Sequence, residues 1–184
     1  MNKATYPFLI NGKIIECSKA ILPLNSVTFK YAASVFEGIR GYWREDENSM
    51  AIFALEEHLE RLFQSIKLMR MDYDFTKDQL KDWIWNLIDH NQFKEDIYIR
   101  CACSISGPGA INTRGPTMLS VHAFPYARKL KNTEEGIHVC VSSWQRISDI
   151  AMPARIKCIS NYQNGRLATL QAEEDGYDLT TRHF

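Results

Sequence analysis

Little in these 184 residues points to a membrane, a nucleic acid or a metal. No stretch reaches the roughly 18 consecutive apolar residues that a bilayer-crossing helix needs. The opening MNKATYPFLINGK lacks the apolar core and small-residue cleavage site of a secretory signal, which makes the cytoplasm the expected address. Charge of one sign is also missing: 22 Lys and Arg are matched by 22 Asp and Glu, so no whole-chain field draws the protein toward nucleic acid or anionic lipid. Cys17, Cys101, Cys103, Cys140 and Cys158 contain no C-x-x-C pair and have no histidines at zinc-site spacing. This argues against a disulfide framework and against a metal site, and leaves reduced thiols, mostly buried as small hydrophobes. No histidine ligand spacing, G-x-S-x-G or Gly-rich phosphate loop is found either.

What is present is an ordinary globular composition, 45% apolar, at a length that suits one large domain or two small ones. Asn11-Gly12 between the apolar runs of FLINGKII predicts a β-hairpin, because that dipeptide tolerates the positive φ angles of a two-residue turn. SVFEGIRGYW reads as a short helix feeding a strand, and MAIFAL as the next strand. Leu59, Leu62, Phe63, Ile66 and Met69 recur at helical spacing, with Glu56 and Glu57 leading and Lys67 and Arg70 trailing to suit the helix dipole. Thr76 with Gln79 has the form of a capping box, ahead of a second apolar stripe through Leu80, Trp83, Ile84, Leu87 and Ile88. DIYIRCACSIS, TMLSVHAFPY and GIHVCVSSWQRI are β-rich. The charged connector ARKLKNTEEG, residues 127–136, divides an α+β domain of residues 1–126 from an incomplete second one of residues 137–184. In the latter, one helix ends near Gly176, and the polar LTTRHF does not read as a strand.

The chemistry centres on Lys157, a single ammonium between Ile156 and Cys158 just ahead of that helix. A lysine attacks a carbonyl through its neutral amine, so an apolar setting suits it; a surface lysine whose stem lies over the core is the alternative. Five segments decide between these. YAASVFEGIRGY, EHLERLFQSIKLMRM, YIRC, SSWQRI and KCISNYQNGRLATLQAEEDGYD stand in the order and spacing in which the chain resembles the branched-chain amino acid aminotransferases, class IV (fold type IV) pyridoxal-phosphate enzymes.

The resemblance implies a complete small N-terminal domain, the start of a larger β-rich C-terminal domain, and pyridoxal 5'-phosphate as cofactor. Lys157 would be the Schiff-base lysine and proton carrier, Tyr162 would donate to the cofactor's phenolic oxygen, and Arg61 would bind its phosphate. Phe36, Tyr31, Arg40, Tyr98, Arg100 and Tyr126 would line the pocket for amino acids and 2-oxo acids, with Tyr31 supplied by a second subunit and Arg100 receiving glutamate's side-chain carboxylate. Without the resemblance each has an ordinary reading: Phe36 and Tyr98 as core, Arg100 as an edge ion pair, Arg61 as a solvated arginine, Tyr162 as a half-buried tyrosine at a helix start. The family pattern continues with a glutamate for the pyridine nitrogen and with phosphate-binding loops, so the expectation is a chain truncated in its C-terminal domain. Three readings stay open: a transaminase of leucine, isoleucine or valine with 2-oxoglutarate, acting as a homodimer or larger homo-oligomer; another fold type IV enzyme such as a D-amino acid aminotransferase or aminodeoxychorismate lyase; and a non-catalytic remnant.

Overall fold

The structure, a computed structural model, describes residues 6–127 and 136–182. The expected connector at 127–136 falls almost wholly outside them.

Six strands form an antiparallel sheet in the order β2-β1-β6-β5-β3-β4, from β1 (Phe8–Ile10), β2 (Lys13–Ile15), β3 (Ser34–Arg44), β4 (Ser49–Ile52), β5 (Ile97–Ile105) and β6 (Thr117–Pro125). The opening hairpin is as expected: Asn11 and Gly12 take φ of 46° and 80°, and Ile10 pairs with Lys13 across the turn. Gly12 has a second constraint, since a Cβ there would meet the Trp83 ring at 2.9 Å.

Two helices cover one face of the sheet: α2 (Leu55–Leu68) and α3 (Lys77–Asn91). Their apolar stripes are those read from the spacing: Leu59, Leu62, Ile66, Leu80, Ile84 and Leu87 are fully buried, while Phe63, Met69 and Trp83 pack partly exposed around them. The capping box forms, with Thr76 Oγ1 accepting from the Gln79 amide and the Gln79 side chain accepting from the Thr76 amide. Beneath the helices lie Leu9, Val35, Ile39, Ile97, Ile99, Cys101, Cys103, Leu119 and Val121, one parity of each strand. Each large side chain withdrawn there contributes about 1.5–3 kcal/mol.

Three expectations need correction. SVFEGIRGYW is strand throughout; the short helix, α1 (Val27–Tyr31), precedes it, capped by Ser26 and closed by Ala32 at φ 55°. Val35, Glu37, Ile39 and Gly41 are all buried, a period of two that a strand gives and a helix does not. Of GIHVCVSSWQRI only Val139–Ser142 is strand (β7). LTTRHF does yield a strand, β8 (Leu179–Arg182), because it pairs in parallel with β7 and needs only backbone groups and half-covered side chains to do so. The crossover between them carries α4 (Gln163–Glu174), which packs on both strands and buries Ala168 and Ala172. Gly176, at φ 81°, ends it, with Tyr177 N–H donating to Ala172 O. Of the five thiols, Cys101, Cys103 and Cys158 are buried and Cys17 and Cys140 partly so; all are free. Among the described residues no helix is long and apolar enough to cross a membrane, and no group of three His, Cys, Asp or Glu is placed to hold a metal ion.

Candidate active site

The site starts from an unpaired strand edge. β4 pairs with only Gly41–Arg44 of β3, and Lys157 and Cys158 pair with the same edge near its start, at Val35 and Phe36. Val35 and Cys158 form an antiparallel bridge, Phe36 N–H donates to Lys157 O at 2.9 Å, and Lys157 N–H donates to Ser65 Oγ of α2 at 3.2 Å. In extended chain, neighbours alternate sides. Ile156 and Cys158 enter the core under α2, so Lys157 is delivered to the opposite side, where its Nζ lies 5.5 Å from the centre of the Phe36 ring. This is why one ammonium stands between two apolar residues.

That side of the sheet carries the other parity of β3 and β5: Phe36, Gly38, Arg40, Tyr98 and Arg100. Gly38 stands opposite Arg100, and a Cβ at Gly38 would fall 2.1 Å from the Tyr98 hydroxyl, so the phenol occupies the space that glycine leaves. The Arg100 guanidinium lies 3.8 Å from the centre of the Phe36 ring, and Tyr162 packs on the same ring at 4.9 Å. Burial pushes the Tyr98 phenol up, opposed by the Arg100 charge.

Two clefts meet at Lys157 and Tyr162. One, of about 370 Å³, is aromatic, with Phe36, Gly38, Tyr98 and Arg100 in its wall. The other, of about 400 Å³, is cationic, lined by Arg61, Arg146 and Arg155 together with Asn161 and Gly165 of the α4 entrance. Both are of small-ligand size. No carboxylate is in either wall among the described residues.

A carboxylate does stand behind the cationic wall. Glu37, fully buried, accepts from Arg61 Nε and Nη2 at 2.6 Å each, and His58 Nδ1 lies 2.9 Å from its Oε2. Burial pushes the Glu37 carboxyl up, but the hydrogen bonds from Arg61 and His58 and the charges of Lys157 and Arg61 outweigh it and hold the group below the ordinary carboxylate range.

The structure therefore brings together Lys157, Tyr162, Arg61, Phe36, Tyr98 and Arg100 around one junction. Arg40 and Tyr126 stand one step back. Arg40 Nη2 donates to Tyr126 O at 2.7 Å and its guanidinium lies 5.0 Å from the Tyr126 ring, which in turn packs on Tyr98 at 5.7 Å. Tyr31, half-exposed on α1, lines neither cleft of its own chain. Sequence reasoning missed Glu37, Arg146 and Arg155. The first had a signal: a charge at the core parity of β3, between Val35 and Ile39. Of the arginines, Arg146 had none beyond lying in SSWQRI, and Arg155 lies outside the five segments.

Comparison with known proteins gives the family. The sequence profile of the amino-transferase class IV family matches residues 34–181. A probable branched-chain-amino-acid aminotransferase of Aquifex aeolicus is 30% identical over 171 residues, 91% of this chain and 54% of that one. Among solved structures, the branched-chain aminotransferase of Thermoproteus uzoniensis with norvaline superposes with a TM-score of 0.90 at 31% identity, covering 97% of this chain and 59% of that one. The branched-chain amino acid aminotransferase of Thermobaculum terrenum in its PLP-form gives 0.84 at 34%, covering 98% and 59%. The chain thus spans a little over half the length of these relatives. With the family profile running through the Phe36 strand, the Lys157 edge and the Tyr162 turn alike, the chain belongs to the class IV aminotransferases and has their α+β, fold type IV architecture.

Proposed function

We propose that this chain carries the lysine and much of the cofactor and substrate walls of a transaminase that exchanges an amino group between branched-chain L-amino acids and 2-oxoglutarate. The observation that supports this best is that Lys157 belongs at once to a cationic cleft and to an aromatic one. A coenzyme that carries an aldehyde on its ring and a phosphate on the neighbouring arm suits that arrangement. The donor set fits pyridoxal 5'-phosphate: Arg61, with Arg146 and Arg155, for the phosphate, Lys157 Nζ for the aldehyde carbon, and the Tyr162 hydroxyl for the ring oxygen. When bound, the coenzyme supplies the electron sink for amino-group transfer.

This chain's own groups do the rest. The Lys157 amine takes the proton from the substrate's α-carbon and returns one on the way back. Phe36, Gly38 and Tyr98 offer an apolar wall to leucine, isoleucine or valine side chains. Arg100, parked on the Phe36 ring, receives the side-chain carboxylate of glutamate, and Arg40 with Tyr126 steadies Tyr98. Exposed Phe29 and Tyr31 of α1, and Ile111 on the loop that α1 holds through Val27 N–H to Gly107 O and Lys30 Nζ to Gly109 O, supply a surface for a second copy and a route for Tyr31 into its cleft. Homodimerisation, action in the cytoplasm, and a division into a small domain of residues 1–126 and a second domain from 137 are parts of the same proposal.

The test is addition of pyridoxal phosphate to purified protein. Wild type should gain the visible absorbance of a lysine-bound coenzyme and Lys157→Ala should not, while their urea midpoints coincide. No band in wild type at saturating coenzyme overturns the reading. Amino-group transfer confined to D-alanine would reverse the choice of substrate.

A further inference from the structure

Strand alternation puts Glu37 between Val35 and Ile39 on the helix-packed face, where an apolar side chain belongs, and Glu37 is 0% exposed. Burying a carboxylate is costly unless it is paired, and well-packed hydrophobes usually serve stability as well as a buried ion pair does. Stability is therefore a weak account of Glu37. Its geometry offers a better one. Arg61 gives Nε and Nη2 to the two Glu37 oxygens at 2.6 Å each, so both ends of the carboxylate are engaged and the guanidinium plane is fixed. His58, one turn earlier on α2, closes on Oε2. Nη1 of Arg61 has no partner among the described residues, and the side chain, 46% exposed, lines the cationic cleft.

We propose that Glu37 is a positioning residue for a phosphate in that cleft. From inside the core it holds the Arg61 guanidinium in one orientation, so the uncommitted edge meets the anion already ordered. Holding a long side chain in place before binding spares the entropy that binding would otherwise cost. The proposal rests on the coenzyme reading above and deepens it: affinity for the phosphate end is set by a residue that never touches the ligand.

The experiment compares pyridoxal phosphate with pyridoxal, which has the same aldehyde and no phosphate, by absorbance titration of wild type, Glu37→Gln, Glu37→Asp, Arg61→Met and the double variant E37Q/R61M. Glu37→Gln should weaken pyridoxal phosphate about tenfold or more, and Glu37→Asp, which keeps the charge and folds more readily, by less. Pyridoxal affinity should stay within about twofold in both. In the Arg61→Met background Glu37→Gln should add no further loss. Equal loss for both aldehydes, a full Glu37→Gln effect without Arg61, or no effect at all overturns the proposal. Calorimetry with inorganic phosphate separates this from failure of the coenzyme reading. Phosphate binding weakened by Glu37→Gln in a protein that gains no absorbance band leaves the positioning role standing alone, and binding of neither ligand ends both.

Discussion

Ile99, in the middle of β5, and Ile150, in the loop after β7, are the same side chain at opposite extremes, 0% and 100% exposed. They typify their surroundings. Residues 6–127 build a continuous core between the six-stranded sheet and two helices. In residues 136–182, Val139, Val141, Leu167, Leu170, Tyr177 and Leu179 stay open to solvent, and the side chains that do enter the core, Ile156 and Cys158, enter that of the first region. The second region thus lends a lysine to a framework it does not itself build. Precision at Lys157 comes from β3 and α2, which hold its backbone by one hydrogen bond from the Phe36 amide and one to the Ser65 hydroxyl, rather than from the sequence around it.

The sharpest contrast is in truncation. Ile99→Ala should cost about 3–5 kcal/mol through the cavity it leaves, and Ile150→Ala less than about 0.5 kcal/mol. Urea unfolding followed by circular dichroism measures both. Similar costs would mean that the regions do not differ in packing as described.

Ile156 breaks the comparison in an instructive way. Although it lies in the thinly packed region, it is only 5% exposed and belongs to the main core, so Ile156→Ala should behave like a sheet variant and lose about 2–4 kcal/mol. Because Lys157 is its neighbour, the same variant should also blunt the absorbance band with pyridoxal phosphate. A stability loss with the band intact would show that Lys157 is positioned from α4 rather than from the sheet.

How much of this was legible beforehand follows the same division. Helices α2 and α3 announce themselves because their stripes are long and face one core, and the Asn-Gly turn and capping box are local chemistry that needs no partner. β3 was misread because FEGIR interrupts its alternation with Glu37, a charge whose partners, His58 and Arg61, lie 21 and 24 residues away. β8 was missed because a parallel pair is made by backbone groups that composition does not report. At the site, Lys157, Arg61, Tyr162, Phe36, Tyr98 and Arg100 were named from the family resemblance, and nothing in their local sequence would have placed them around one junction. Arg146 and Arg155 come from a loop whose path no periodicity predicts.

Acid separates the regions by a smaller amount. The Glu37 carboxyl is held below the ordinary glutamate value of about 4.3, so its contribution to stability is complete above that value and is lost as pH falls through the lowered one. With Arg61 half-exposed, about 1–2 kcal/mol is at stake. Glu37→Gln should flatten the fall in urea midpoint as pH drops below the ordinary glutamate value of about 4.3. Asp149 is likewise held low by its hydrogen bond from Arg155, but that pair is exposed on its loop, and Asp149→Asn should leave the acid limb where it is. An equal response from the two would put the acid sensitivity in the wrong region.

Helix ends give the smallest and most local test. Thr76→Ala removes the capping oxygen of α3 and should lower the global urea midpoint by the equivalent of about 1 kcal/mol, since α3 is part of the main core. Gly176→Ala forces a Cβ into the left-handed region at φ 81° with no heavy atom within 4 Å to clash with it, so its cost, also about 1 kcal/mol, is backbone strain alone. That cost falls on α4 and its approach to β8, where Ala168 and Ala172 are the buried side chains among the described residues. Such a segment opens without the sheet. Gly176→Ala should therefore speed amide hydrogen exchange in residues 163–174 severalfold and leave the exchange of β5 unchanged. If the β5 amides accelerate by the same factor, the two regions unfold as one cooperative unit, and the thin packing around α4 has no counterpart in its stability.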